Sequence, residues 1–175
     1  MDYWQVVKEV VGYFRYKRQC ELVAFERMIG SLQWVTRPDV LVVNKQRYLT
    51  EVEIKLTMSD YRADQKKRVW ERRRSHPERD LNRQFYYAAP ADLAEKIKPE
   101  LREGCGLLAI RDVNFDAVSV AARAPVRAAA KRLPLRLIAE MVKAQTGTLC
   151  SLLEIIRNQQ VLLEEHRKAG KAGKE

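Results

Sequence analysis

The sequence predicts an α/β fold, and three observations predict it. An apolar run, Val40-Leu41-Val42-Val43, meets a second, alternating strand from Arg47 to Leu56 across the polar turn Asn44-Lys45-Gln46. Two further strand signals, Gln84 to Ala89 and Gly106 to Arg111, flank a helical stretch from Ala91 to Leu101, and residues 3 to 17 form an amphipathic helix. Strands interleaved with helices in this order build a sheet covered by helical layers.

Along the chain, the first helix places Trp4, Val7, Val11 and Phe14 on one apolar stripe. A strand is expected within Gln19 to Ile29. In the strand from Arg47, the period of two turns Val52, Ile54 and Leu56 into a core and lines Glu51, Glu53 and Lys55 along the opposite face. Directly after it, Thr57 and Asp60 make a Thr-x-x-Asp capping box, and a helix follows without Gly or Pro until Ser75-His76-Pro77.

Beyond residue 122 the character changes. Ala-Ala-Arg-Ala-Pro125 and Arg-Leu-Pro134 punctuate a linker, and Leu135 to Ala144 and Leu149 to His166 read as two helices separated by Gly147. Leu149, Leu152, Ile156 and Leu163 form a stripe for docking on the core or for pairing two protomers in a homodimer. The expected organisation is a core over 1–122, a helical extension over 123–168 and a disordered tail over 169–175.

The chain has 175 residues and a net charge of +10, which favours a polyanionic partner. Two segments carry the excess. From Arg62 to Arg83 there are nine bases against four acids, and from Arg123 to Arg136 five bases and no acid. Lys66, Lys67, Arg72 and Arg73 are the candidate nucleic-acid contacts on the first; the alternative is a solvated helix laced by pairs such as Asp64 with Arg68. No apolar stretch reaches membrane-spanning length and the start lacks a basic segment followed by an apolar one, so a cytoplasmic protein with no membrane partner is expected.

The three cysteines, Cys20, Cys105 and Cys150, are far apart and without a CxxC pair; they read as buried thiols rather than as a disulfide framework or zinc site. His76 and His166 lack partners at ligand spacing. Without a GxxxxGK[ST] loop, a GxSxG elbow or a Gly-rich dinucleotide fingerprint, nucleotide-driven and nicotinamide chemistry have no local support.

The chemistry concentrates at Pro38-Asp39 and Glu53-Ile54-Lys55. The hairpin brings Asp39, at the start of one strand, beside Glu53 on the other. Two carboxylates, with the Ile54 backbone carbonyl as a possible third oxygen, suit Mg²⁺, and a neighbouring amine, Lys55, can orient or deprotonate a water or stabilise charge on a reacting phosphate.

This Pro38-Asp39, Glu53-x-Lys55 pattern resembles the PD-(D/E)xK nuclease superfamily. The flanking pieces Ser59-Asp60-Tyr61, Asp64 and Phe85-Tyr86-Tyr87-Ala-Ala-Pro90 extend the likeness over roughly residues 35 to 112, nearest to the small bacterial or phage DNA repair nucleases and Holliday junction resolvases. The resemblance implies a restriction-endonuclease-like core, a mixed central sheet flanked by helices, and Mg²⁺- or Mn²⁺-dependent hydrolysis of nucleic acid, most simply DNA. It implies Asp39, Glu53 and Lys55 as catalytic residues, with Asp39, Glu53 and the Ile54 carbonyl on the metal. It also implies a further acid on the first helix, where Glu9 fits by position and Glu21 and Glu26 are alternatives; Glu51 is another candidate. The competing expectation is a non-catalytic nucleic-acid-binding or interaction protein that keeps the fold.

Overall fold

The structure, a computed structural model, describes residues 1–25, 38–76, 80–112 and 116–147, with residues 150, 154, 157, 159 and 160. Its centre is a six-stranded mixed sheet whose spatial order follows the chain: β1 (Leu22–Phe25), β2 (Val40–Val43), β3 (Leu49–Ile54), β4 (Asn82–Pro90), β5 (Gly106–Ile110) and β6 (Val118–Ala122). The outer pairs β1–β2, β2–β3 and β5–β6 are antiparallel, while β3–β4 and β4–β5 are parallel. Parallel neighbours need a crossover, and helices supply both. These are α2 (Met58–Gln65) with α3 (Arg68–Ser75), and α4 (Ala91–Ile97), which tightens into a 3₁₀ turn at Lys98–Glu100. The observed fold is therefore the α/β class the strand and helix signals predict, and a C-terminal helix, α5 (residues 135–147), is present.

Local sequence explains how the elements begin and turn. Helix α1 (Tyr3–Gly12) starts at Asp2, which accepts from Gln5 N–H while the Gln5 side chain accepts from Asp2 N–H, and it runs on as a π-helical turn, Tyr13–Lys17. The β2–β3 turn is closed by Asn44, whose side-chain oxygen accepts from Gln46 and Tyr48 N–H at 3.0 Å each, with Arg47 at φ 65°. Thr57 caps α2 by accepting from Asp60 N–H. At Gly106, where β5 begins, a Cβ would collide with the Tyr86 ring and the backbone nitrogen of Ala124, so only glycine fits under the returning chain.

Each face of the sheet has its own core. One face packs Val40, Val42, Val52, Ile54, Ala88, Leu108 and Ile110 against Val6, Val7, Val10 and Phe14 of α1 and its extension. The other is divided. Over β4 and β5, Phe85, Tyr87 and Leu107 meet Tyr61 of α2 and Leu93, Ala94 and Ile97 of α4. Over β2 and β3, Leu41, Val43 and Leu49 meet Leu133, Leu137 and Met141.

Several expectations change. Trp4 is 56% exposed, and Val6 and Val10 take the inner positions of α1 with Val7 and Phe14. Leu56 is exposed because the strand ends at Ile54 and the chain turns away into α2. The basic stretch after Thr57 is two helices, broken at Lys66–Lys67, where backbone bonds tighten from Lys66 N–H to Ala63 and from Lys67 N–H to Asp64. β6 has no counterpart among the predicted strands: its residues alternate too weakly to mark it. Residues 123–134 return along the sheet, with Arg127 N–H bonded to Arg83 O and Leu133 N–H to Arg47 O. Cys20 and Cys105 are buried as expected, whereas Cys150 is exposed. The stripe at Leu149, Leu152, Ile156 and Leu163, the tail, His166 and Glu26 lie outside the described residues.

Candidate active site

The register pairing Val40 with Val52 continues outward to place Asp39 directly across from Glu53. Asp39 is fixed twice: its Oδ2 accepts from Ile54 N–H at 2.7 Å and its Oδ1 from the Tyr3 hydroxyl at 3.0 Å. Sequence reasoning missed Tyr3, whose place on the first turn of α1 gave no signal of a partner 36 residues away.

Glu51, Glu53 and Lys55 share a face as the period of two requires, but that face is buried. Glu51 is 0%, Glu53 6% and Lys55 3% exposed, because the row runs along the seam between the two helical cores on that side. Burying three charges is costly unless each finds a partner. Lys55 Nζ lies 3.4 Å from Glu53 Oε2 and 3.2 Å from Asp64 Oδ1.

Asp64 corrects the pairing expected with Arg68. It is buried, and α2 aims it into the sheet, where Tyr87 OH donates to Oδ2 at 2.9 Å, Trp70 Nε1 to the same oxygen at 3.3 Å, and Lys67 Nζ reaches Oδ1 at 2.5 Å. Burial alone would raise its carboxyl pKa, but Lys67, Lys55 and Tyr87 outweigh burial and hold it below the usual carboxylate range. The Tyr87 phenol is pushed well up by burial and by the Asp64 charge, so it remains a donor. The spacing of Asp64 from Lys55 held no sign of this contact; only the turn from β3 into α2 creates it.

Glu53 shows the opposite balance. Burial and then the neighbouring Asp39 charge push its carboxyl up to about 8, and Lys55 offsets this in part. Two hard carboxylates at one point, one of them biased toward protonation when no cation is near, fit a divalent ion such as Mg²⁺ in charge and ligand type. Among the described residues, no group of three or more His, Cys, Asp or Glu side chains forms a metal cluster, so further oxygens would come from the Ile54 carbonyl, water or substrate.

Glu51 belongs to a separate pairing. Arg73 NH2 meets its Oε2 at 2.5 Å and Asn82 Nδ2 donates to the same oxygen; burial still raises its pKa. Arg73 is thereby withdrawn from the predicted nucleic-acid contacts: its side chain is 11% exposed and packs against the Trp70 and Phe85 rings. Lys66 is exposed, and Lys67 is half-exposed with its ammonium on Asp64. The Arg72 side chain lies outside the described residues.

Glu9, the candidate for a further acid, and its described alternative Glu21 lie elsewhere. Glu9 is ion-paired to Lys8 and lines a cavity with Asp116, Ala117 and Val118 at the β6 edge, because the turn of α1 that carries it faces that edge. Glu21 is exposed beside Val43, at the opposite end of β2 from Asp39, since β1 runs antiparallel to β2.

No protein-family model and no curated protein matches the chain. Among solved structures, the chain is similar to a protein of unknown function from Silicibacter pomeroyi, with a TM-score of 0.58 at 17% identity over 91% of this chain and 94% of that one. At this identity the two share a fold, and the likeness reaches no further than that.

Proposed function

We propose that this chain is a metal-dependent nuclease hydrolysing phosphodiester bonds of DNA, with Mg²⁺ or Mn²⁺ held by Asp39, Glu53 and the Ile54 carbonyl. The observation that supports it best is the meeting of Asp39, Glu53 and Lys55 where β2 begins and β3 ends. When bound, the divalent ion would supply Lewis-acid stabilisation of the phosphate and a more acidic water. Asp39 is oriented by Tyr3 and Ile54 N–H, and Glu53 by Lys55. Lys55, placed by Asp64, is the amine that would meet the reacting phosphate or its water. Exposed Lys66, Arg68, Arg123, Lys131, Arg132 and Arg136 supply positive surface for the phosphate backbone.

The likeness of the motif to PD-(D/E)xK repair nucleases points to DNA repair, recombination or phage DNA processing in the cytoplasm. No described helix is long and apolar enough to cross a membrane. The test is a panel of labelled duplex, single-stranded, flap and four-way DNA, with RNA counterparts, incubated with Mg²⁺ or Mn²⁺ or with chelator. Cleavage of at least one substrate that stops with chelator supports the reading. No cleavage together with no divalent-ion binding by calorimetry overturns it.

One observation favours a second reading, a non-catalytic nucleic-acid-binding protein. Both Asp39 oxygens are engaged by protein donors, and the Lys55 ammonium is shared between two carboxylates. Such an array can be a buried ion-pair network alone. Substrate binding without metal binding would establish it.

A further inference from the structure

On the sheet face that carries Glu53 and Lys55, toward the start of β3, a cavity of about 250 Å³ opens between α3, the start of β4, the loop before β5 and the chain at Arg127. Arg73, Arg74, Arg102 and Arg127 line it, against Asp80 and Glu103. Arg73 is neutralised by Glu51, and Arg127 is paired with Asp80. Arg74 and Arg102 pair with no carboxylate among the described residues. Arg102 is nevertheless held: its Nε donates to Gln65 Oε1 at 2.5 Å, its NH2 to Gln65 O at 2.6 Å, and its guanidinium lies 4.7 Å from the centre of the Trp70 ring. A guanidinium fixed in this way has already lost most of the freedom that binding an anion would cost it.

A second observation comes from Asn82, which also lines the cavity. Its Nδ2 is used on Glu51, and its Oδ1 is buried with no donor. Buried acceptors are rarely left so, and an occupant that satisfies this wall brings a donor as well as negative charge. A phosphate monoester does both: its oxygens accept from guanidinium forks, and its own P–OH or the hydroxyl of an attached sugar donates. The cavity is smaller than the roughly 300–1,000 Å³ of sites for drug-sized ligands, which suits a phosphoryl group with part of a sugar better than a whole nucleotide.

We propose that this cavity binds a terminal phosphate monoester, carried on the end of a nucleic-acid strand or on a free nucleotide. Its relation to catalysis rests on the nuclease reading above. Glu51 in β3, which holds Arg73 in the cavity wall, and Lys55 just past the end of that strand are four residues apart on one face, about 13 Å at the strand rise. A strand end held here would feed the following nucleotides toward Asp39, Glu53 and Lys55.

The experiment measures binding in chelator, so that no cleavage intervenes. Oligonucleotides of one sequence bearing a 5′-phosphate, a 3′-phosphate or only hydroxyl ends are titrated, with a nucleoside 5′-monophosphate and inorganic phosphate as competitors. One phosphorylated end should bind at least about tenfold tighter than the hydroxyl ends, the effect of one charged hydrogen bond. That preference should vanish in Arg102→Gln and shrink in Arg74→Gln. Thermal unfolding checks that both fold, and the exposed Arg74 carries the test if Arg102→Gln does not. Binding of the free monophosphate alone, lost in the same variants, keeps the pocket and identifies a nucleotide as its source. Equal affinity for all ends with no binding of the monophosphate overturns the proposal, as does a preference unchanged in the folded variants. A protein that shows the preference but cuts nothing and binds no divalent ion keeps this pocket and loses the nuclease reading; one that cuts without preference does the reverse.

Discussion

Lys55 and Asp64 form a buried ion pair, Nζ to Oδ1 at 3.2 Å, with each side chain 3% exposed. One comes from the end of β3 and the other from α2, so the helix after the strand positions the amine as much as the strand does. The carboxylate is in turn held by Tyr87, Trp70 and Lys67.

Removing that carboxylate should therefore cost stability. Asp64→Asn leaves Lys55 with Glu53 alone, and breaking a buried pair typically costs about 3–5 kcal/mol. Tyr87→Phe, which deletes one donor to Asp64, should cost about 1–3 kcal/mol. Urea unfolding checks both; an Asp64→Asn protein as stable as the wild type would show that the pair contributes nothing net.

Under the proposed function, Asp39→Asn, Glu53→Gln and Lys55→Met should each lower metal-dependent cleavage by at least about a hundredfold. Calorimetry should show weaker divalent-ion binding in the two carboxylate variants and near-normal binding in Lys55→Met. If all three cut as well as the wild type, the activity lies at another site.

The pH dependence of folding without divalent ions has a definite sign. Glu53 has a folded value of about 8, above the ~4.3 of an unfolded glutamate. Its protonation stabilises the folded chain fully below the unfolded value, and that contribution is lost as pH rises through about 8. Asp64, held low, contributes in the other direction, and its stabilisation is lost only as pH falls through the acid range. Denaturation midpoints should fall between about pH 5 and pH 8, and Glu53→Gln should flatten the fall. Added Mg²⁺ should stabilise most at the alkaline end; a pH-independent midpoint in the wild type would contradict the burial of Glu53.

The basic segment after Thr57 divides by exposure. Lys66→Ala should leave stability unchanged and reduce the slope of log K against log salt for DNA binding by up to about 0.9 if it contacts a phosphate. Arg73→Ala should instead destabilise, because it removes the guanidinium that meets the buried Glu51 carboxylate at 2.5 Å. Salt titrations and unfolding curves on the two variants separate the roles, and matching behaviour would refute the division.

Residues 123–141 are stitched to the sheet. Met141 and Leu133 are 1% and 0% exposed, so Leu133→Ala and Met141→Ala should each cost about 2–5 kcal/mol. Equilibrium unfolding should stay a single transition in both; a loss below about 0.5 kcal/mol would show that this packing is marginal.

The sequence by itself determined the elements whose signals are local. The period of two from Leu49 to Ile54, the Asn44 turn, the Thr57 cap and the alternation of strands with α4 follow from nearest-neighbour chemistry, and together they dictate an α/β fold. The hairpin also dictated that Asp39 and Glu53 meet, since antiparallel register is set by the turn between them. Tertiary structure decided the rest. Whether the row Glu51, Glu53, Lys55 faces water or a seam depends on helices that arrive from far along the chain, so a pattern of charge alone reads as solvated. Asp64, Tyr3 and Trp70 join the site, and Arg73 leaves the DNA-facing set, for the same reason. Their partners are fixed by how helices pack across a sheet, and that distance leaves no trace in local spacing.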